Sequence, residues 1–133
     1  MHACRILILA MRYSDRYLLF IEYFNNQKFT SAQSTLDEVW LDETGSDKNY
    51  YGGLVQISVS LYHLTNDNAK GAQKIFEKAH QMLSPFGEKH LGISVSKLLS
   101  DMAHIFSHEV SGDRTNFDYL KLAPKIEFEE SVF

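Results

Sequence analysis

The most strongly patterned stretch of the chain is residues 50–83, in which two helical patterns are separated by a short polar turn. Its first half has apolar residues at three- and four-residue steps on two sides of a helix. These two stripes are Leu54, Ile57, Leu61 and Leu64, and Tyr51, Val55, Val59 and Tyr62. A helix that is apolar around most of its circumference lies inside a bundle. We therefore predict that this helix is central and that Leu54, Ile57 and Leu61 are nearly fully buried.

The same periodicity predicts four more helices, over about residues 15–27, 29–42, 68–83 and 91–109. Ser14 is a suitable N-cap for the first, and Ser46 or Asp47 for the central helix. Residues 84–87, with Pro85 and Gly87, end the fourth helix. No internal repeat is apparent in the sequence.

The last residues, 116–133, alternate apolar and polar positions and include Ile126 and Phe128. Pro124 disfavours a long helix here. We predict an extended C-terminal arm lying on the bundle and frayed from Glu129 onward. The predicted fold is all-α, an antiparallel bundle of about five helices plus this arm, in a single domain over residues 1–133.

Glycine within a helical pattern costs about 1 kcal/mol relative to alanine. Two glycines so placed are Gly53 in the central helix and Gly71 in the next one. We expect both to lie where two helices approach closely.

The N-terminal residues 1–12 lie outside the bundle pattern. Residues 3–11 are apolar except for Arg5, but they are too few to span a bilayer. No small-residue cleavage site follows them, which argues against a signal peptide. Either these residues extend the bundle, or translation starts at Met11 instead of Met1 and they are an artefact.

Composition narrows the range of functions. The chain has 133 residues, a net charge of −4 and 23% charged residues. It has no basic run, so we expect no nucleic-acid partner and, with no long apolar segment, no membrane partner. Its single cysteine, Cys4, cannot form an internal disulfide, which fits a reducing, cytoplasmic location.

An ordered set of residues in the second to fourth helices carries a family resemblance. The set is Phe24-Asn25, Phe29, Ala32, Leu36 and Trp40, then Tyr51-Gly52-Gly53-Leu54-Val55-Gln56, then Asn68-Ala69-Lys70-Gly71-Ala72. The chain resembles the small all-helical domain-of-unknown-function family numbered 309 over about residues 17–84. That family has a His-Glu pair where Gln33-Ser34 stand here, and a glutamate at the position of Asp37. A histidine with two carboxylates could form a metal or acid–base site, but here the histidine and one carboxylate are missing.

Seven polar or aromatic residues are candidates for a site between the first three helices. They are Asn25, Gln33, Asp37, Trp40, Tyr51, Gln56 and His63. Two interpretations stay open: a pocket for a small ligand, or a buried hydrogen-bond network that fixes helix packing. We expect Asp37 to be partly buried and to accept hydrogen bonds from Tyr51, Gln56 or a backbone N–H.

Other candidate chemistry is sparse. Asp101, His104 and His108 share one helix face, but a third clear ligand is missing, and we predict no metal and no cofactor. His80 and His90 flank the Pro85 turn and are expected to be exposed. The favoured function is a non-catalytic or small-ligand-binding interaction module, with a homodimer as one option. The alternative is a small hydrolase or metal-dependent enzyme with a degraded polar cluster.

Overall fold

The computed structural model describes residues 13–110 and 119–128, apart from the side chains of residues 108–110, 119 and 120. Five long helices form this part of the chain: α1 (Asp15–Asn25), α2 (Phe29–Asp42), α3 (Lys48–Thr65), α4 (Ala69–Leu83) and α5 (Val95–Val110). The short elements are a 3-10 turn (Ser84–Phe86), strands β1 (Lys89–His90) and β2 (Ile93–Ser94), and α6 (Tyr119–Leu122). The predictions for residues 1–12, including a start at Met11, and for the frayed end from Glu129 lie outside the described residues.

Helices α1 to α4 pack in chain order, each mainly against the next. Short connections at residues 26–28, 43–47 and 66–68 reverse the chain direction between them, as in antiparallel helical hairpins. The prediction of an all-α antiparallel bundle is confirmed.

Helix α3 is the centre of the core, as its two apolar stripes predict. Leu54 and Ile57 are 0% exposed and Leu61 is 2% exposed. Its neighbours on either side, α2 and α4, cover it along most of its length.

Local side-chain bonds fix where two helices begin. The Ser14 hydroxyl accepts a hydrogen bond of 3.1 Å from the Tyr17 amide, which confirms the predicted cap of α1. The Asn68 side chain accepts one of 3.1 Å from the Gly71 amide at the start of α4. Asp47 occupies the cap position of α3, but its side chain makes no capping bond.

The turns α1–α2 and α3–α4 have the same backbone geometry. Gln27 (φ 60°) and Asp67 (φ 58°) are both left-handed. The amide of the next residue donates to a carbonyl five residues back in each turn, from Lys28 to Tyr23 and from Asn68 to His63, at 2.9 Å in both. This is the pattern of a Schellman C-cap.

The equivalence extends into the core. Buried positions of the helical hairpin α1–α2 correspond, at one constant offset along the chain, to buried positions of the hairpin α3–α4. The pairs are Ile21 and Leu61, Phe24 and Leu64, Ala32 and Ala72, and Leu36 and Phe76. The two hairpins therefore repeat in structure although no repeat is apparent in the sequence. The repeat lies in which positions are buried, while the residue types differ in all of these pairs except Ala32 and Ala72.

The segment before α5 departs from the predicted helix at residue 91. Lys89 pairs with Ser94 and His90 with Ile93 in an antiparallel hairpin. Its two turn residues, Leu91 (φ 45°) and Gly92 (φ 81°), are both left-handed, which is the type I′ geometry of two-residue hairpins. Helix α5 consequently begins at Val95.

The C-terminal arm is extended from residue 123 to residue 127, after the single turn of α6. Phe128 forms an antiparallel bridge with Ile93 of β2. Ile126 is 5% exposed, so the arm packs into the bundle. The predicted extended arm is confirmed for these residues.

Gly53 and Gly71 have different roles. A Cβ atom at Gly53 would stand 2.5 Å from Leu83 Cγ, so Gly53 lies tightly against α4 as predicted. At Gly71 the nearest atom is Nδ2 of its own capping residue, Asn68, also at 2.5 Å. Gly71 therefore serves the helix start, and our prediction of a close interhelical contact there is wrong. A second close approach of α3 and α4 is at Ser60, whose hydroxyl donates to the Ala72 carbonyl at 2.7 Å.

Alanine at the two glycines should have opposite consequences. Gly53→Ala places a methyl group inside the Leu83 side chain, and overpacking of this kind costs typically about 1–3 kcal/mol. Gly71→Ala displaces the Asn68 cap, worth about 1 kcal/mol, but gains about the same in helix propensity. We expect urea melts to show a clear loss of stability for Gly53→Ala and little change for Gly71→Ala. Equal effects would contradict this assignment.

Candidate functional site

Asn25, the first of the seven candidates, is bound to the arm. Its Nδ2 donates to the Ile126 carbonyl at 3.0 Å, and its Oδ1 accepts from the Ile126 amide at 2.6 Å. Both ends of the side-chain amide are thus satisfied by one backbone residue.

The three candidates on α2, Gln33, Asp37 and Trp40, are all half-buried. Trp40 covers the start of α3, because a Cβ at Gly52 would lie 2.8 Å from the indole Nε1. Lys48 donates to the Trp40 carbonyl at 3.0 Å, and its Nζ lies 6.0 Å from the ring centroid. Trp40 is therefore packed at the end of the α2–α3 seam.

Asp37 is half-buried, as predicted, but it forms no hydrogen bond with the described part of the chain. The prediction that Tyr51, Gln56 or a backbone N–H donates to it is wrong. Burial raises the pKa of Asp37 above its ordinary value, because the charged form is poorly solvated there.

The three candidates on α3, Tyr51, Gln56 and His63, are spread along the helix, and all are half-buried. His63 lies near the C-terminal end of α3, whereas Tyr51 lies near its N-terminal end. Its Nδ1 is buried without a hydrogen-bond partner among the described residues. Of the seven candidates, Asn25 thus contacts the arm and Trp40 covers the start of α3; a common pocket for all seven stays a prediction.

Tyr51 lines an open groove of about 440 Å³ where α1, α2 and α3 meet. The other lining residues are Ser14, Arg16, Glu38, Val39, Asp42 and Glu43. Arg16 is ion-paired with Glu38, so the carboxylates of Asp42 and Glu43 make the groove negative overall. Burial, followed by the charges of Asp47 and Glu43, raises the pKa of Tyr51. Its hydroxyl therefore stays protonated and offers a hydrogen to the groove.

A buried tyrosine pair that the sequence reasoning missed lies behind this groove. The Tyr17 and Tyr50 hydroxyl oxygens are 2.7 Å apart. The Tyr17 hydroxyl donates to the Leu91 carbonyl at 2.7 Å, and the Tyr50 hydroxyl donates to the His90 carbonyl at 2.9 Å. Two hydroxyl hydrogens serve these three contacts, so at most two of them carry a hydrogen at one time.

The tyrosine pair is held neutral by its surroundings. Burial is the main cause that raises the pKa of both Tyr17 and Tyr50 far above the ordinary tyrosine value. Neither phenol is therefore available as a phenolate base near neutral pH, and both serve as hydrogen-bond donors to the β1–β2 hairpin.

His90 joins the hairpin to the start of α3. Its Nε2 is 2.8 Å from Asp47 Oδ1, and its ring contacts Tyr50 and Phe86 at centroid distances of 4.6 and 4.8 Å. The prediction that His90 is exposed is wrong, since it is half-buried. Asp47, at the cap position of α3, directs its carboxylate to His90 instead of to its own helix.

Metal-binding geometry is absent from the described ranges 13–110 and 119–128: no three His, Cys, Asp or Glu side chains there are grouped to hold an ion. Asp101, from the second cluster in the sequence, pairs with Lys97 at 2.8 Å, and the side chain of His108 lies outside the described residues. Over the same ranges, no helix combines the length and the apolarity needed to cross a membrane.

Helices α1 to α3 and the first half of α4 contain all seven candidates and both repeated turns. Residues 17–75 match Domain of unknown function (DUF309). The family resemblance seen in the sequence is thereby confirmed. The DUF309 segment includes Tyr17 and Tyr50, whereas the hairpin carbonyls that they reach, and the arm held by Asn25, lie beyond it.

A curated relative is Uncharacterized protein YpuF of Bacillus subtilis (strain 168). It is 24% identical over 89 residues, which is 65% of this chain and 51% of YpuF. The chain therefore spans about half the length of this relative, whose name assigns no activity. No solved structure matches the chain.

Removal of the Tyr17 hydroxyl should destabilise the protein. Tyr17→Phe leaves the Leu91 carbonyl without its donor, while Tyr50 keeps the His90 carbonyl, and an unsatisfied buried group costs about 1–3 kcal/mol. Tyr62→Phe is the matched control, because Tyr62 is exposed. Urea melts should separate the two variants, and equal stabilities would show that the buried hydroxyl contacts are energetically neutral.

The burial of Asp37 predicts a pH dependence of stability. Because its pKa is raised in the folded state, the folded protein binds the proton more tightly, and stability falls as pH rises through that raised pKa. Asp37→Asn removes this loss, so we expect the variant to melt above wild type at pH 7. The difference should disappear below the pKa of the unfolded carboxyl, at about pH 3. A variant that melts below wild type at pH 7 would indicate that the carboxylate is stabilised by a partner.

Proposed function

We propose that this chain is a non-catalytic interaction module, and that its binding face is the negative groove around Tyr51. The proposal rests on one observation above all. Tyr51, one of the seven candidates, lines a groove formed by described residues, and carboxylates surround it.

The chemistry of the groove supports binding more than catalysis. Its phenol is kept protonated, and Arg16 is paired with Glu38. The position of the histidine in the DUF309 pattern is occupied by Gln33, whose amide does not titrate. These groups can donate and accept hydrogen bonds and attract charge, but an activated nucleophile or base is missing from the set.

The surroundings of the groove indicate a protein side chain as ligand. Asp42 and Glu43 attract a cation, and the Tyr51 ring offers an apolar and cation-binding surface. Leu41, beside Asp42 at the end of α2, is 71% exposed. A lysine or arginine side chain next to an apolar residue of a partner protein complements this combination.

The test is an NMR titration with the capped amino acid N-acetyl-arginine methylamide, using capped glutamate as the charge-reversed probe. We expect saturable shifts of the amides of Tyr51, Asp42 and Glu43 with the arginine probe at low salt. Screening should weaken the binding as salt is added. Tyr51→Phe and Asp42→Asn should each reduce the affinity, while Glu77→Gln, an equal loss of charge at an exposed position of α4, should not.

Equal responses to both probes, or an equal loss in Glu77→Gln, would contradict binding at this groove. Elemental analysis of the purified chain tests the enzyme alternative separately. About one zinc, nickel or iron per chain, lost in Asp37→Asn, would replace the non-catalytic proposal with a metal-dependent enzyme.

A further inference from the structure

The contact between the arm and the bundle has the features of a peptide complex formed within one chain. Asn25 bonds both the amide and the carbonyl of Ile126, at 2.6 and 3.0 Å. These are backbone groups, so the bonds are independent of which side chain stands at position 126. An asparagine that bonds both groups of one residue acts as the neighbouring strand would in a β-ladder.

The hairpin supplies the second part of this contact. Strand β2 pairs with β1 on one side and, through Ile93, with Phe128 of the arm on the other. Within the described residues, the arm thus pairs with the open edge of the two-stranded sheet at one bridge. Addition of an extended segment to a sheet edge is a recurring mode of peptide recognition, in which backbone bonds provide affinity and alternate side chains provide specificity.

The side chains of the arm alternate as this mode requires. Pro124 and Ile126 are buried, whereas Lys125 and Glu127 are exposed. The Phe128 ring packs on Tyr13 and Tyr17 at centroid distances of 5.0 and 6.4 Å. Glu127 lies 3.9 Å from Lys97 of α5, which favours an acidic residue between the two apolar positions.

The receiving groups all come from outside the arm, from α1, β2 and α5. We infer that they form a binding site for an extended peptide with apolar residues at alternate positions and an acidic residue between the last two. The arm of this chain is the intramolecular occupant of that site, and a partner segment with the same pattern displaces it. This surface does not include the groove around Tyr51, so it stands independently of the proposed function.

The test uses the full chain and a fluorescein-labelled peptide of residues 122–128, LAPKIEF. Ile126→Lys should release the arm, because a lysine ammonium cannot be buried without a partner. Since the tethered arm competes at high effective concentration, we expect the peptide to bind this variant at least about tenfold more tightly than wild type. Asn25→Ala in the same background should abolish the gain. Asn26→Ala is the matched control, since the Asn26 side chain donates to the Glu22 carbonyl of α1.

A peptide with lysine in place of its isoleucine should fail to bind. If Ile126→Lys binds LAPKIEF no better than wild type, or if the lysine-containing peptide binds equally well, the inference is overturned. Wild-type dimers that form at high concentration and are lost in Asn25→Ala would support the site, with a second copy as the donor of the arm.

Hydrogen exchange on the wild-type chain decides the matter even where Ile126→Lys does not fold. The Ile126 amide should be protected, yet it should exchange through a local opening that is faster than exchange of the α3 core amides. Asn25→Ala should accelerate Ile126 exchange and leave α3 unchanged. Exchange of Ile126 at the same rate as α3 would show that the arm opens with the whole fold, and would overturn its role as a displaceable ligand.

Discussion

The enclosure of α3 is the constraint on which the rest of this structure depends. Apolar residues cover most of its circumference, so it must be surrounded, and α2 and α4 do this along its sides. Close approach requires small residues: Gly53 fits against Leu83, and Ser60 is fully buried against Ala72. The hydroxyl of Ser60 bonds the Ala72 carbonyl, so the polar group needed for close packing is also satisfied.

The start of α3 raises a different problem, since Tyr50 is a fully buried residue with a polar hydroxyl. Its acceptor comes from the β1–β2 hairpin, which follows α4 in the chain. Tyr17 of α1 is bound to the same hairpin. The hairpin thus joins the beginning and the middle of the DUF309 segment, although it lies outside that segment, and His90 with Asp47 adds a second link at the same place.

Features that depend on residues close together in the sequence could be predicted, whereas features that depend on distant residues could not. The helices and the cap at Ser14 depend on residues within one or two turns, so periodicity and cap chemistry located them. The hairpin was missed because the first of its two turn residues is Leu91, and a leucine does not indicate a left-handed backbone as a glycine would. Among the candidate residues, Asn25 and Trp40 were recognised as unusual, but their partners, Ile126 and Gly52, are distant in sequence. Spacing on one helix does not show which surface faces which neighbour, so the sequence alone did not locate these partners.

The bond between Asn25 and Ile126 also bears on how the arm can change in evolution. Because Asn25 contacts backbone atoms, the contact itself does not depend on which apolar side chain stands at position 126, whereas proline there would remove the donated amide. Lys125 is exposed and can vary with little effect on docking, but positions 124, 126 and 128 must keep their apolar character, and an acidic residue at 127 faces Lys97. Divergent chains with this architecture should therefore show an arm that varies most at position 125 beside an unchanged asparagine at the end of α1.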